Sequence, residues 1–524
     1  MRGSAYGACD ALGLADLVRR REVTPRELLD EAIARIERVN PRLNAVVTQL
    51  YDDARRAIDA GLPDGPFRGV PFLLKDLDAD FEGTPMSSGS RFMAGVLSPH
   101  DATLVARHRR AGLVVVGKTN TPELGLTPYT EPEVFGPARN PWNPQHMTGG
   151  SSGGAAAAVA AGVVPAAHAN DGGGSIRIPA SCCGVFGLKP TRGRTPVGPD
   201  CSQVWAGMAI GHAVTRTVRD SAALLDATAG PADDEPGMLP VPPRPFLAEA
   251  GAPPGRLRIA LARRTHLVGI TPHADCVAAA DDAAALARGL GHQVEESDID
   301  LDPEELARDF FLIVCVEIAA GIERNARQRG RRPRRRELQT TTWITAEIGR
   351  QHGALDLAQA RERLDAIARR VARFHERFDL LLSPTLGLPP PRVGSLHPHG
   401  AEAVVQEIVL RLRLGFLLRL PGVVDAAVRR VFTFMPFTPL ANVTGAPSMS
   451  VPLYWNRDGL PVGAMFTARF GDEATLFRLA TQLEQARPWR DRRPPISADA
   501  PDAAEPASRT TAPATGAGMT AALK

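Results

Sequence analysis

Residues 149–162, GGSSGGAAAAVAAG, and residues 170–179, NDGGGSIRIP, place two glycine-rich loops around a run of alanines. The alanines predict a helix over 155–161, which Gly162 ends. Consecutive glycines let the backbone turn several N–H groups toward one point, and such a cluster binds an anion. The two loops therefore predict a backbone anion site for a phosphate or for a developing oxyanion.

The sequences of the loops disfavour the phosphate. A phosphate loop of the Walker type ends in Gly-Lys-Ser/Thr, and neither loop contains a lysine. A dinucleotide-binding loop requires the spacing GxGxxG directly after a strand, and Gly150 to Gly154 do not fit it. The oxyanion interpretation is favoured, and it requires a nucleophile and a base.

Working outward from the loops, short apolar runs alternate with helical patterns. Residues 69–76 (GVPFLLKD) and 113–117 are typical of buried strands, and a capping box at 24–27 begins an early helix. This alternation predicts an α/β fold. The later elements are predicted helices at 102–110, 275–290 and around 476–483, and predicted strands at 257–262, 380–383, 451–453 and 462–466.

Ser175 directly follows three glycines, so its hydroxyl is the candidate nucleophile. His168 is near in sequence, but we interpret it as a structural histidine. Lys75 ends an apolar strand, where burial would lower its pKa and make it a base. Ser151 or Ser152 would bridge the lysine to Ser175. Lys118 also follows an apolar run and is the competing base, although a strand-end lysine is its simpler interpretation.

The amino-acid composition indicates the class of protein and disfavours several kinds of partner. The 524 residues are 44% hydrophobic and 23% charged, which is typical of a globular protein, and a net charge of +3 does not indicate a nucleic-acid or membrane partner. The six cysteines form no CxxC pair and no disulfide scaffold, which favours the reducing cytoplasm. We find no signal peptide, no spanning segment and no metal-ligand spacing, and we expect no cofactor.

The combined motifs resemble the amidase signature family over roughly residues 10–490. They are GVPFLLKD, the GGSSGG loop, the GGGSIRIPA loop, GKTNTPE at 117–123, GLKPTRGR at 187–194 and FTPLANVTGAPSMSVPL at 437–453, with 24 positions between Ser151 and Ser175. The resemblance implies one large α/β domain with a central mixed sheet sandwiched between helices. It also implies that Ser175 is the nucleophile, that Ser151 is the bridge after a cis peptide, and that Lys75 is the base.

The same resemblance assigns the residues around the triad. The N–H groups of Gly172, Gly173, Gly174 and Ser175 would form the oxyanion hole. From the residues themselves, we expect Asp171 and Arg177 to pair and brace the loop that carries Ser175, with simple solvation of both side chains as the alternative. Ser152 has no assigned role beyond capping the alanine helix. The family commonly has Gly-Thr-Asp before the glycines, whereas this chain has Ala-Asn-Asp at 169–171.

Three further segments are similar to the 6-aminohexanoate cyclic dimer hydrolases, a subgroup that acts on nylon oligomers. They are residues 130–143, residues 168–171, and Cys315 followed by residues 322–325. The similarity implies a linear or cyclic amide substrate with an apolar acyl part. It implies that Cys315 lies against this substrate together with Gly149 and Gly150.

Three alternatives stay open at this stage. A carbamate or ester hydrolase (a urethanase, for example) would use the same triad. An amidotransferase subunit would hydrolyse glutamine and require a partner chain. A non-catalytic anion-binding module would use the glycine loops alone, and a serine-directed fluorophosphonate would not label it.

The domain prediction is one unit over 1–490 with a helical insertion at about 400–431. We interpret the insertion as a lid or a dimer contact in preference to a membrane-surface patch, which leaves a homodimer open. The basic run at 329–336 is interpreted as a solvated loop. Residues 491–524 are rich in Ala, Pro, Thr and Asp and predict a disordered tail.

Overall fold

The computed structural model describes residues 3–232, 235–411 and 425–500, and one eleven-stranded sheet forms the centre of this part of the chain. The strands are β1 Val46–Gln49, β2 Pro71–Lys75, β3 Val114–Thr119, β4 Ala166–Asp171, β5 Phe186–Lys189, β6 Ile210–Thr215, β7 Arg258–Leu261, β8 Gln293–Glu296, β9 Leu380–Pro384, β10 Ser448–Trp455 and β11 Pro461–Ala468.

Helices flank this sheet. They are α1 Gly3–Ala8, α2 Ala11–Arg19, α3 Pro25–Leu43, α4 Tyr51–Asp59, α5 Thr103–Arg110, α6 Gly153–Ala160, α7 Arg177–Cys183, α8 Val218–Thr228, α9 Phe246–Ala250, α10 Ala274–Gly289, α11 Pro303–Arg329, α12 Thr340–Arg350, α13 Ala354–Phe374, α14 Ala401–Arg411, α15 Asp425–Phe434, α16 Pro439–Thr444 and α17 Glu473–Ala486. Within the described ranges, no helix combines the length and the apolar character needed to cross a membrane.

The sheet is mixed, as expected. Its strand order is β1-β3-β2-β4-β6-β5-β10-β11-β9-β7-β8. Strand β2 runs parallel to both β3 and β4, and β7 runs parallel to β8 and β9, whereas the pairs between β4 and β9 are antiparallel. The carboxyl ends of β2 and β4 therefore meet at one edge of the sheet, which is where Lys75 and the second glycine loop lie.

Both faces of the sheet are covered, which explains the continuous apolar runs. In β2, Leu73 packs with the alanines of α6, whereas Phe72 and Leu74 pack on the opposite side with Val105 of α5. A strand buried on both faces shows no polar alternation. The predicted capping box is confirmed, because Thr24 caps α3 and exchanges hydrogen bonds with Glu27.

Helices α11, α12, α13, α15 and α16 contribute to one apolar cluster, and α14 packs on α11 and α12 in a smaller one. The predicted insertion at 400–431 corresponds in part to α14 and α15, and residues 412–424 lie outside the described residues. The basic run is partly structural, because Arg331 pairs with Glu337 and lies over the ring of Phe92.

The prediction places the start of the disordered tail, at residue 491, too early in the chain. Residues 491–500 pack on the protein, and the side chains of Ile496 and Ala498 are buried against the helical layer. Asp499 accepts a hydrogen bond from the buried guanidinium of Arg35 at 2.7 Å. The composition of the segment concealed the few apolar residues that anchor it, and residues 501–524 lie outside the described residues.

Candidate active site

Lys75 ends β2 inside the protein, and its side chain is fully buried. Its Nζ lies 2.6 Å from the Oγ of Ser151 and also contacts the Oδ1 of Asn170. Burial lowers the pKa of Lys75 to about 7, although the carboxylates of Asp78 and Asp171 act in the opposite direction. A large fraction of the amine is therefore neutral near pH 7 and able to accept a proton.

The Gly150–Ser151 peptide bond is cis, as the resemblance implied. Gly150 packs so closely under the backbone of Tyr129 that a Cβ there would lie 2.7 Å from the Tyr129 nitrogen. Gly149 has a φ of +70° and lies against Ile178. Gly149 and Gly150 are both buried packing positions beside Ser151, and their contact with substrate stays a prediction.

Ser152 is not the helix cap that we expected. Its side chain makes no capping hydrogen bond to α6; instead its Oγ donates to the carbonyl of Asn170 at 3.2 Å. Its N–H donates to the carbonyl of Ser175 at 3.2 Å. Ser152 therefore ties the first glycine loop to the second.

Ser175 lies between β4 and α7 and is half-buried in the wall of a cavity. Ser151 lies next to the same wall, because its Oγ is 3.4 Å from the place that a Cβ on the wall residue Gly125 would occupy. Within the described residues, no hydrogen bond joins the hydroxyls of Ser175 and Ser151. Such bonds are often long without substrate and shorten when the substrate binds.

Asp171 and Arg177 form the predicted pair. Arg177 donates from Nε and Nη2 to the two carboxylate oxygens of Asp171 at 3.0 Å each, and both side chains are fully buried. Burial alone would raise the pKa of Asp171, but the guanidinium of Arg177 outweighs it and lowers the pKa to about 2. Asp171 is therefore ionised at physiological pH.

Asp171 also accepts hydrogen bonds from some backbone amides of the loop at 172–176, which carries Ser175, and leaves the others free. It accepts hydrogen bonds from the N–H groups of Gly174 at 2.7 Å and Ile176 at 3.1 Å. The Gly174 amide is thus already occupied, which corrects its assignment to the oxyanion hole. Within the described residues, the amides of Gly172, Gly173 and Ser175 donate to no protein acceptor, and Gly173 and Ser175 line the cavity.

The described residues that line the cavity carry no charge. Within the described residues, its wall residues are apolar or neutral polar, and they come mainly from α11, α12, α14, α15 and the loop at 125–129. They are Gly125, Leu126, Thr127, Pro128, Tyr129, Gly173, Ser175, Ile178, Trp205, Phe310, Phe311, Val314, Thr341, Ile344, Thr345, Ile348, Leu396, Pro398, Gln406, Val428, Val431, Phe432 and Met435.

The prediction that Cys315 contacts the substrate stays a prediction. Its side chain is fully buried and belongs to a small apolar cluster with Ile344 and Ile348, which are themselves wall residues. Its carbonyl lies so close to Gly349 of α12 that a Cβ there would overlap it. Cys315 therefore supports the wall from behind.

Lys118 and His168 keep the structural roles that the sequence favoured. Lys118 donates from Nζ to the carbonyl of Pro85 at 2.6 Å and not to either serine of the candidate triad. His168 accepts the backbone N–H of Lys75 on Nδ1 at 3.3 Å. Burial first, and then electrostatic interaction with His108 and Lys75, holds the pKa of His168 well below its usual range. Among the described residues, no cluster of His, Cys, Asp or Glu side chains is arranged to hold a metal ion.

Residues 27–477 match the Amidase family. The chain belongs to this family. It is 39% identical over 494 residues to a 6-aminohexanoate-cyclic-dimer hydrolase from Pseudomonas sp. (strain NK87), covering 93% of this chain and 96% of the relative. The family membership and this relative make the chain a hydrolase of carbon–nitrogen bonds other than peptide bonds.

Solved structures of this amidase family agree with the fold. A 6-aminohexanoate cyclic dimer hydrolase complexed with substrate superimposes with a TM-score of 0.84 at 37% identity, covering 95% of this chain and all of the other. A bacterial aryl acylamidase superimposes with a TM-score of 0.80 at 27% identity, covering 92% and 98%.

Thr438, just before α16, and Asn442, within α16, hold the loop that carries Ser175 in this amidase, and neither was predicted from the sequence. Thr438 donates from Oγ1 to the carbonyl of Gly173 at 2.7 Å. Asn442 donates from Nδ2 to Asp171 Oδ1 at 2.8 Å and accepts from Arg177 at 2.6 Å. Both residues stand in the late segment that resembles the family, but this sequence alone does not indicate that the segment meets a loop some 265 residues earlier.

Proposed function

We propose that the chain hydrolyses an uncharged carboxylic amide through an acyl-enzyme formed on Ser175, with Ser151 as the bridge and Lys75 as the base. The observation that carries this proposal is the 2.6 Å contact between Lys75 Nζ and Ser151 Oγ, made by a fully buried lysine whose pKa is lowered to about 7. A lysine exposed to water would stay protonated and could not act as a base.

The reaction begins when Ser175 Oγ attacks the carbonyl carbon. The hydroxyl proton of Ser175 passes to Ser151 Oγ as the proton of Ser151 passes to Lys75 Nζ, and a tetrahedral oxyanion forms. The carbon–nitrogen bond then breaks, and the leaving nitrogen takes a proton back through Ser151 from Lys75. Water repeats the sequence on the ester, which releases the carboxylic acid and restores Ser175. No cofactor takes part in these steps.

The oxyanion is stabilised by the amides of Gly172, Gly173 and Ser175. These are the loop N–H groups that Asp171 leaves free, because it accepts those of Gly174 and Ile176. The buried ion pair between Asp171 and Arg177 holds the Asp171 carboxylate in place before the substrate arrives, so the same loop amides stay free. Donors held in place before the reaction are worth about 3–4 kcal/mol of barrier each in comparable sites.

The substrate class follows from the cavity wall. Among the described residues the wall carries no charged side chain, so a buried carboxylate or ammonium of the substrate would find no partner among them, at a cost of several kcal/mol. An amide whose acyl part is an apolar chain or ring avoids this cost. The relatives are named for hydrolysis of the 6-aminohexanoate cyclic dimer, which is an amide of this kind. We propose that this chain takes a linear or cyclic amide of similar character.

The same argument disfavours glutamine, the substrate of an amidotransferase subunit, because glutamine carries both a carboxylate and an ammonium. The same argument does not separate amides from carbamates and esters with apolar groups, and a substrate series ranks the three classes.

The test is a hydrolysis screen across cyclic, aliphatic and aryl amides, carbamates and esters, with Ser175→Ala as the blank. We expect the neutral cyclic and aliphatic amides to be hydrolysed, and Ser175→Ala to lower kcat at least about 1000-fold. A fluorophosphonate should label wild type on Ser175 and should not label the variant. Near-normal hydrolysis by Ser175→Ala would show that the nucleophile is assigned wrongly.

A further inference from the structure

Asn170 near the end of β4 lies between the candidate base and the carboxylate of Asp78. Its Oδ1 contacts Lys75 Nζ, and its Nδ2 lies 3.2 Å from both the carbonyl of Leu77 and Oδ2 of Asp78. A backbone carbonyl can only accept hydrogen bonds, so the Nδ2 group must face Leu77. The orientation of the side-chain amide is therefore fixed, and its oxygen faces the lysine.

This orientation restricts what Lys75 can do with its lone pair. A neutral lysine amine has two N–H groups and one lone pair, and the Asn170 oxygen can only accept an N–H. The lone pair is then left for the hydroxyl of Ser151, which lies 2.6 Å away.

Asn170 also separates the lysine from a second, small cavity. Asp78, His168 and Asn170 belong to the wall of this cavity, whereas Lys75 does not. Asn170 and His168 are the residues that contact Lys75 on this side, through Nζ and the backbone N–H respectively. They keep the amine out of reach of water in that cavity, which preserves the burial on which its basicity depends.

We propose that Asn170 is a positioning residue that holds the neutral amine of Lys75 with its lone pair directed at Ser151. This inference rests on the proposed function, in which Lys75 is the base. The other titratable groups that face Lys75 are Asp78 after β2, and Asp171 and His168 on β4. Asp80 and Arg324 face Asp78 from behind.

Direct observation of Lys75 is practical in this chain, because its four lysines stand at positions 75, 118, 189 and 524. Lysine labelled with ¹³C at Cε should give few enough signals to assign that of Lys75 with a Lys75→Met variant. The full-length enzyme and Asn170→Leu are titrated by NMR, and kcat and KM are measured on a neutral amide.

We expect Asn170→Leu to lower kcat about tenfold or more while KM stays within about twofold, because ground-state binding is not affected. The titration of Lys75 should move to lower pH by about half a unit or more, because the ammonium loses an acceptor while burial is kept. An unchanged kcat would overturn the proposal. So would a loss of kcat with an unchanged Lys75 titration, which would indicate a merely structural role.

A matched pair keeps the proposal testable if Asn170→Leu does not fold. Asn170→Thr and Asn170→Val have the same shape and differ by one oxygen, so effects of folding cancel between them. We expect Thr to exceed Val about tenfold in kcat and to hold the Lys75 pKa higher, and equality in both would overturn the proposal. The NMR titration does not depend on hydrolysis, so it distinguishes this failure from an active Ser175→Ala, which would overturn the proposed function instead.

Discussion

At the scale of single residues, three buried lysines have similar basicity but different partners. Burial is the main cause that lowers the pKa of Lys75 and Lys189 to about 7 and that of Lys118 to about 8. Lys118 and Lys189 donate to the backbone carbonyls of Pro85 and Pro190, whereas Lys75 contacts the hydroxyl of Ser151. A lowered pKa is therefore common to all three, and the neighbouring hydroxyl is what makes Lys75 the candidate base.

The pH dependence of hydrolysis tests this assignment. Lys75 accepts a proton only when neutral, so kcat/KM should fall as pH drops through about 7 and should level off above it. The measurement is kcat/KM on a neutral amide between pH 5 and pH 10, so that the substrate itself does not titrate.

Lys118→Met is the matched control for this profile. It removes the other strand-end lysine, whose pKa is lowered to about 8, and it should leave the acid limb where it was. Its thermal midpoint should fall, because the buried Asp76 loses the positive charge that favours its ionised form. If Lys118→Met moved the acid limb and Lys75→Met kept near-normal kcat, the roles of the two lysines would have to be exchanged.

At the scale of elements, the sequence predicted strand β2, which carries Lys75, and its neighbour β3, but not its other neighbour β4. Strand β2 reads as a continuous apolar run, and both of its faces are covered. Strand β4 reads AAHAND, whose small and polar residues give no strand signal of their own. The parallel pairing of β2 and β4 brings Asn170 to Lys75, and nothing local to either segment indicates that pairing.

The contact of Thr438 with the nucleophile loop gives a prediction at this scale. Thr438→Val keeps the shape of the side chain but removes the hydroxyl that donates to the carbonyl of Gly173. The Gly173–Gly174 peptide unit should then lose its fixed orientation, and we expect kcat to fall about tenfold. The cost in unfolding free energy should be about 1 kcal/mol, as for one buried hydrogen bond.

Thr467→Val provides the comparison, because Thr467 on β11 makes a buried hydrogen bond to Ser448 at 2.8 Å and contacts no part of the loop. This variant should lose similar stability and keep its kcat. Measured kcat and thermal midpoints for the pair therefore separate positioning from stability, and equal losses of kcat in both variants would contradict the bracing role of Thr438.

At the scale of the whole molecule, residues 491–500 pack on the helical layer that is formed near the start of the chain. The fold class could be predicted because its motifs are local, and the candidate triad stays a prediction. The cavity wall could not be predicted, since it is assembled from the loop at 125–129 and from helices between residues 303 and 434. The packing of residues 491–500 was missed for a similar reason: a few anchors, among them Ile496, Ala498 and Asp499, outweigh a composition that is typical of disorder.

Two truncations test whether this last segment belongs to the domain. Ending the chain after residue 500 removes only the part whose composition predicts no fold, and the thermal midpoint should stay within about 1 °C of wild type. Ending it after residue 490 exposes the apolar surface that Ile496 covers and takes Asp499 away from the buried Arg35. The second truncation should therefore lower the free energy of unfolding by about 3 kcal/mol or more, because a buried side chain contributes about 1.5–3 kcal/mol and a buried cation loses a partner.

Since Ser175 and Lys75 do not contact the segment, the shorter chain should keep its kcat at temperatures where it stays folded. Equal midpoints for the two truncations would return the domain boundary to residue 490.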